Sequence, residues 1–174
     1  MKLLAGILLL LLAGYAQASA EPDANPKPEP VILSVYGDIA LDDGVYQRLD
    51  FTLSELQALT QAEITTAHPW SSQAQRYGGI DLTALLQLLF ANKAIKTLNL
   101  EGLNGFSMAL EWSNICDFSP IIAWQENGKL MSRRDKGPLW LMLPFDQVPK
   151  MKQADFLHYM VWQLRTIRVY SEPE

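Results

Sequence analysis

The side chains able to do chemistry gather in two stretches of this 174-residue sequence. The first is Thr65-Thr66-Ala67-His68-Pro69-Trp70-Ser71-Ser72, a polar loop that sets an imidazole beside an indole. Its Trp70 can stack on a planar heterocycle or fold into a core, and His68 can hydrogen-bond a ligand or cap a turn. The second stretch, residues 128–144, reads GKLMSRRDKGPLWLMLP. Arg133, Arg134, Asp135 and Lys136 stand side by side there, and a charge run is normally a solvated face. The Gly137-Pro138 turn behind them argues for presentation instead. Two guanidinium forks and an ammonium suit carbonyl or carboxylate oxygens, while Asp135 can accept two hydrogen bonds from an amino-pyrimidine edge.

Familiar catalytic patterns do not occur. There is no GxSxG, HExxH, phosphate-binding loop or dinucleotide glycine fingerprint, and neither histidine belongs to a triad pattern. His158, between Phe156 and Tyr159, reads as structural. The single cysteine, Cys116, cannot form an intrachain disulfide and has no zinc-spaced partners; it is expected to be a small buried hydrophobe. Among the five tryptophans, Trp124, Trp140 and Trp162 are expected in the core.

The first 20 residues have the three parts of a cleavable secretory signal: Lys2, an apolar run over residues 3–13, and Ala18-Ser19-Ala20 as a small-x-small site. Gly14, Gln17 and Ser19 interrupt the run before it reaches membrane-spanning length. Prolines 22, 26, 28 and 30 make residues 21–30 an extended leader, which leaves residues 31–174 as one domain. The formal net charge of −5 becomes more negative once Lys2 is removed, and argues against nucleic acid as a partner.

The elements that must position the two stretches are mostly strands. Apolar runs at residues 31–36 and 45–51 predict two strands, the first stopped by Gly37-Asp38. Thr52 and Glu55 form a capping box opening a helix over residues 53–61, and Asp81 caps a helix over 82–91 with leucines at helical spacing. Hairpins are predicted around residues 102–105 and around Asn127-Gly128. Residues 139–143 and 161–170 add two further strands. Without a repeating βα pattern, this is a strand-rich, mixed-sheet α+β domain with a few short helices.

The order of these landmarks resembles a known family. From Thr65-Thr66-Ala67-His68-Pro69-Trp70 it runs through Tyr77-Gly78-Gly79-Ile80, Leu103-Asn104-Gly105-Phe106, Asn127-Gly128 and DKGPLWLMLPFD to Trp162-Gln163-Leu164. It is similar to the molybdopterin-binding domain of sulfite-oxidase-type oxidoreductases, over roughly residues 31–170. Those enzymes ligate molybdenum through a cysteine where this chain has Thr65-Thr66-Ala67, and Cys116 lies elsewhere. The sequence therefore resembles more nearly the small exported pterin-binding proteins of the PruR type. That resemblance implies a periplasmic, non-enzymatic protein whose ligand is a reduced pterin and which holds no metal. Its implied partner is the periplasmic part of an inner-membrane protein that makes or degrades cyclic-di-GMP. The implied ligand-binding residues are Thr66, His68, Trp70, Arg133, Arg134, Asp135 and Lys136. The alternative is a molybdopterin-dependent oxidoreductase or its periplasmic subunit.

Overall fold

A computed structural model describes residues 28–91, 93–149 and 153–172. The expected signal and most of the leader lie outside the described residues. The described end of the leader is tied down: Glu29 accepts hydrogen bonds from the backbone and hydroxyl of Ser54.

Among the described residues, ten strands form two sheets. The first has the order β2 (Gly44–Phe51), β1 (Leu33–Leu41), β10 (Leu164–Ser171), β5 (Ile95–Gly102), β6 (Ser107–Glu111). Its β1–β10 pair is parallel and its other pairs are antiparallel, so the sheet is mixed. In the second sheet β3 (Gln61–Thr66) pairs β4 (Gln75–Asp81), and β4 pairs β7 (Ile121–Glu126). On its other side β7 takes β8 (Lys129–Leu130) at one end and β9 (Trp140–Met142) at the other. Among the described residues, three short α-helices complete the α+β architecture: α1 (Leu53–Gln57), α2 (Leu82–Leu89) and α3 (Gln153–Tyr159).

Local chemistry explains the boundaries, including those that differ from expectation. Gly37-Asp38 does not stop β1; the register shifts between Tyr36 and Ile39, and the strand continues as a bulged one. Gly37 is required there, because its φ of +148° is closed to most side chains and a Cβ would lie 2.8 Å from the Phe90 ring. The capping box at α1 is present, with Thr52 N donating to Glu55 Oε2 at 2.7 Å and Glu55 N donating to Thr52 Oγ1. However, α1 ends at Gln57 rather than at residue 61, because Gln61 opens β3 opposite Ile80 and its amide donates back to the carbonyls of Leu56, Gln57 and Leu59. Asp81 caps α2 as expected, accepting from Ala84 N at 2.9 Å. The leucines at 82, 85, 86 and 89 face the core.

Both predicted hairpins form, at β5–β6 and β7–β8. Asn127 and Gly128 each have positive φ, which lets a two-residue turn follow the strand twist. The core contains Leu33, Val35, Leu98, Leu100 and Ile167 from the first sheet and Tyr77, Ile80, Ile122 and Trp140 from the second.

Candidate functional site

The end of β3 and the loop after it place His68 in a nest of rings. His68 is only 4% exposed, with Trp140 at 5.3 Å, Trp70 at 5.6 Å and Tyr77 at 5.7 Å between ring centroids. Strand β4 supplies Tyr77 and strand β9 supplies Trp140, both fully buried and edge-on to each other at 5.4 Å. Trp140 Nε1 donates to Met160 O at 2.9 Å, so the indole has both its apolar body and its polar tip accommodated. Trp70 lies at the surface of this cluster, 39% exposed, and its ring meets Trp140 at 6.0 Å and Trp162 at 5.6 Å.

Polar contacts hold the nest from behind. His68 Nε2 and the Tyr77 hydroxyl are 2.7 Å apart, and that hydroxyl donates to Glu126 Oε1 at 2.8 Å. His68 Nδ1 is buried without a hydrogen-bond partner among the described residues. Burial first, and then the nearby Lys136 charge, lower the His68 pKa, while burial and the Glu126 carboxylate push the Tyr77 hydroxyl far up. Thr66, fully buried, has its hydroxyl committed: Oγ1 donates to Asp146 Oδ1 at 3.0 Å and accepts from Asp146 N at 3.3 Å. Ala67 N donates to the same carboxylate. Thr66 is thus a brace under the His68 loop, with no surface to offer a ligand.

The charged loop is built differently. Arg133, Arg134 and Asp135 are exposed, whereas Lys136 is half-buried with Nζ 4.8 Å from the Trp140 ring centroid. The loop backbone is fixed by one residue that sequence reasoning did not single out for this task. Gln163, itself at φ +51°, donates its side-chain amide to the carbonyls of Arg133 and Asp135 and its backbone N–H to that of Lys136. Gly137 closes the loop, donating to Ser132 O, and a Cβ on it would sit 2.2 Å from Met131 O. Only glycine fits that approach.

The structure therefore unites His68, Trp70 and Lys136 around Trp140, keeps Arg133, Arg134 and Asp135 beside them on a braced turn, and places Thr66 underneath. Tyr77, Glu126, Asp146 and Gln163 complete the arrangement. Tyr77 had a signal, as the only aromatic in the Tyr77-Gly78-Gly79 landmark; the others belong to partners distant in sequence.

Two expectations are corrected. Trp162 is not core but 38% exposed beside Trp70, because it lies just before β10 where the chain bridges to Trp140. Cys116 is half-buried in a 3-10 turn, its sulfur 3.7 Å from Asp117 Oδ1, and burial raises its thiol pKa. His158 is exposed, in the last turn of α3, and borders a cavity of about 190 Å³. That cavity is apolar, walled by Trp70, Trp162, Phe106, Leu157 and Met160, and none of the four loop charges lines it.

Comparison with known proteins agrees with the architecture. No family model matches the sequence, and no curated protein matches it. Among solved structures, the chain is similar to the sulfane dehydrogenase SoxCD from Paracoccus pantotrophus, with 18% identity and a TM-score of 0.55. The match covers 80% of this chain and 38% of that one, so the chain spans well under half of the SoxCD length. At that identity the likeness speaks for fold alone, and the fold is a strand-rich, mixed-sheet α+β domain of the sulfite-oxidase-like kind.

Proposed function

We propose that this chain is an exported, non-enzymatic pterin-binding domain that reports its ligand to an inner-membrane protein of cyclic-di-GMP synthesis or breakdown. The observation that carries the binding reading is Trp70. A large ring, exposed at the rim of a buried His68–Tyr77–Trp140 cluster and flanked by a braced cationic loop, is a platform for a flat polar ring. In this reading Trp70 stacks on the pterin and Asp135 accepts from its 2-amino group and N3–H. Arg133, Arg134 and Lys136 face its oxo group or side chain. The export signal is read from residues 1–20, and the membrane partner comes from the sequence resemblance.

Molybdenum does not fit this donor set. At Thr65-Thr66-Ala67, where the resembled oxidoreductases carry a thiolate, the chain offers a buried hydroxyl already bonded to Asp146. A soft-ligand metal site is not made from that group. The related function consistent with these residues is binding of the pterin without the metal.

Titration of the mature protein with a reduced pterin, followed by tryptophan fluorescence, tests the reading. Trp70→Ala and Asp135→Asn should each weaken binding by on the order of tenfold, the scale of one lost stacking or bidentate contact. Unchanged affinity in both variants rejects the site. Near-stoichiometric molybdenum in protein purified from its native host would favour the oxidoreductase alternative instead.

A further inference from the structure

The apolar cavity beside Trp70 is assembled from three separate stretches of the chain. Trp70 comes from the loop after β3, Asn104 and Phe106 from the β5–β6 turn, and Leu157, His158 and Trp162 from the end of α3 and the segment that enters β10. Met160 and Val161, both buried, close it below. Trp70, Phe106 and Trp162 stay 38–46% exposed, so three large apolar side chains that the fold leaves in solvent open onto one concavity. Single exposed apolar residues are ordinary, whereas several around one hollow mark a binding site.

Size and lining decide what enters. An apolar cavity of about 150 Å³ holds one benzene, so the 190 Å³ here has room for a single six-membered ring. A pterin bicycle in this place would turn its amino, N3–H and oxo groups toward indole and aliphatic walls, with only Asn104 and His158 to answer them. Polar groups left unpaired against apolar walls are costly, so the polar ring belongs outside the cavity, on Trp70 and the charged loop. The two places adjoin. Trp70 walls the cavity and is also the proposed platform, and Trp162 directly precedes Gln163, whose amide holds the carbonyls of Arg133 and Asp135. A ligand held at the loop by its polar ring reaches the cavity across two indoles whose centroids are 5.6 Å apart.

We propose that the cavity receives an aryl arm carried by the bound pterin, so that the ligand of this chain is a pterin with an aromatic substituent rather than a small polar one. This rests on the pterin reading and extends it to the ligand's side chain. Trp70 is shared by ring and arm. Trp162, Phe106 and Leu157 hold the arm by apolar burial, and taking one such ring out of water corresponds to roughly a tenfold gain in affinity.

Two uncharged ligands with the same reduced ring separate the arm from the head. Under anaerobic conditions the mature chain should bind a tetrahydropterin carrying an anilinomethyl group at C6 roughly tenfold more tightly than 6-methyltetrahydropterin. NMR of the first complex should show nuclear Overhauser effects from the phenyl protons to the methyl groups of Leu157 and Met160. Leu157→Trp fills the cavity from α3 and should bring the affinity ratio to within about twofold. Phe106→Ala, at an exposed turn position, removes a wall and should cut the ratio to about threefold even if Leu157→Trp fails to fold. Equal affinities in the wild type, phenyl contacts elsewhere on the surface, or a ratio untouched by both variants overturns the arm site while leaving a pterin site standing. Failure of both ligands to bind overturns the pterin reading, and the arm site with it.

Discussion

The two halves of the candidate site are built by opposite means. Around His68 the side chains themselves are fixed: Tyr77 and Trp140 are fully buried, and each polar tip is bonded to a partner from a different part of the chain. Around Arg134 only the backbone is fixed, by Gln163 and Gly137, while the side chains of residues 133–135 reach into solvent. Groups of the first kind discriminate, since a wrong partner leaves a buried polar atom unpaired in a low-dielectric place. Exposed charges attract, at a strength that water and salt limit. Lys136, half-buried over Trp140, joins the two halves.

The buried half breaks most severely at Trp140. Replacing it with alanine removes the ring on which His68, Trp70 and Tyr77 all pack, together with the Nε1 bond to Met160 O. Deleting a large buried aromatic costs about 3–5 kcal/mol. Urea unfolding of Trp140→Ala should show a loss of that order, and a loss under about 1 kcal/mol would mean that the cluster is not what holds this end of the second sheet together.

What the sequence made legible follows this same division. Features carried by neighbours in the chain could be read directly: the Thr52–Glu55 box, the Asp81 cap, the α2 leucines and the Asn127-Gly128 turn all use contacts within four residues. The residue types of the site were legible too, because an imidazole, an indole and a four-charge run stand out by chemistry alone. Strands β3 and β4 were not legible. Gln61–Thr66 has few large apolar residues, and β4 carries Gly78-Gly79, which reads as a breaker. In the fold Gly79 is demanded by its neighbour, since a Cβ there would lie 2.0 Å from Ile122 O. Bonds spanning long stretches of chain were hidden for the same reason. Nothing local ties Thr66 to Asp146, Tyr77 to Glu126 or Gln163 to the Arg133 loop, and Trp162 reads as core until its place outside β10 is known.

Thr66 gives a finer test of where the ligand half ends. Thr66→Val keeps the shape and removes the hydroxyl that both donates to and accepts from Asp146. Asp146 is exposed and its carboxylate still accepts from Ala67 N, so the lost contacts should cost about 1 kcal/mol or less in unfolding free energy. Pterin affinity should change little, because Thr66 faces Asp146 and has no exposed surface. The reverse result, stable protein with binding weakened about tenfold, would return Thr66 to the ligand pocket.

The exposed half should show the smallest effect on stability and the clearest dependence on salt. Replacing Arg133 and Arg134 together with alanine removes two exposed side chains that make no hydrogen bond or ion pair among the described residues, so unfolding should shift by no more than about 0.5 kcal/mol. Binding of a pterin with an anionic side chain, such as pterin-6-carboxylate, should weaken at low ionic strength. The difference from wild type should shrink as salt rises from about 0.1 M to about 1 M, because the screening length falls from about 10 Å to about 3 Å. Neutral biopterin should show no such convergence. If the difference for the carboxylate persists at high salt, the guanidinium groups form direct, desolvated hydrogen bonds to the ligand, and the loop discriminates as the buried half does.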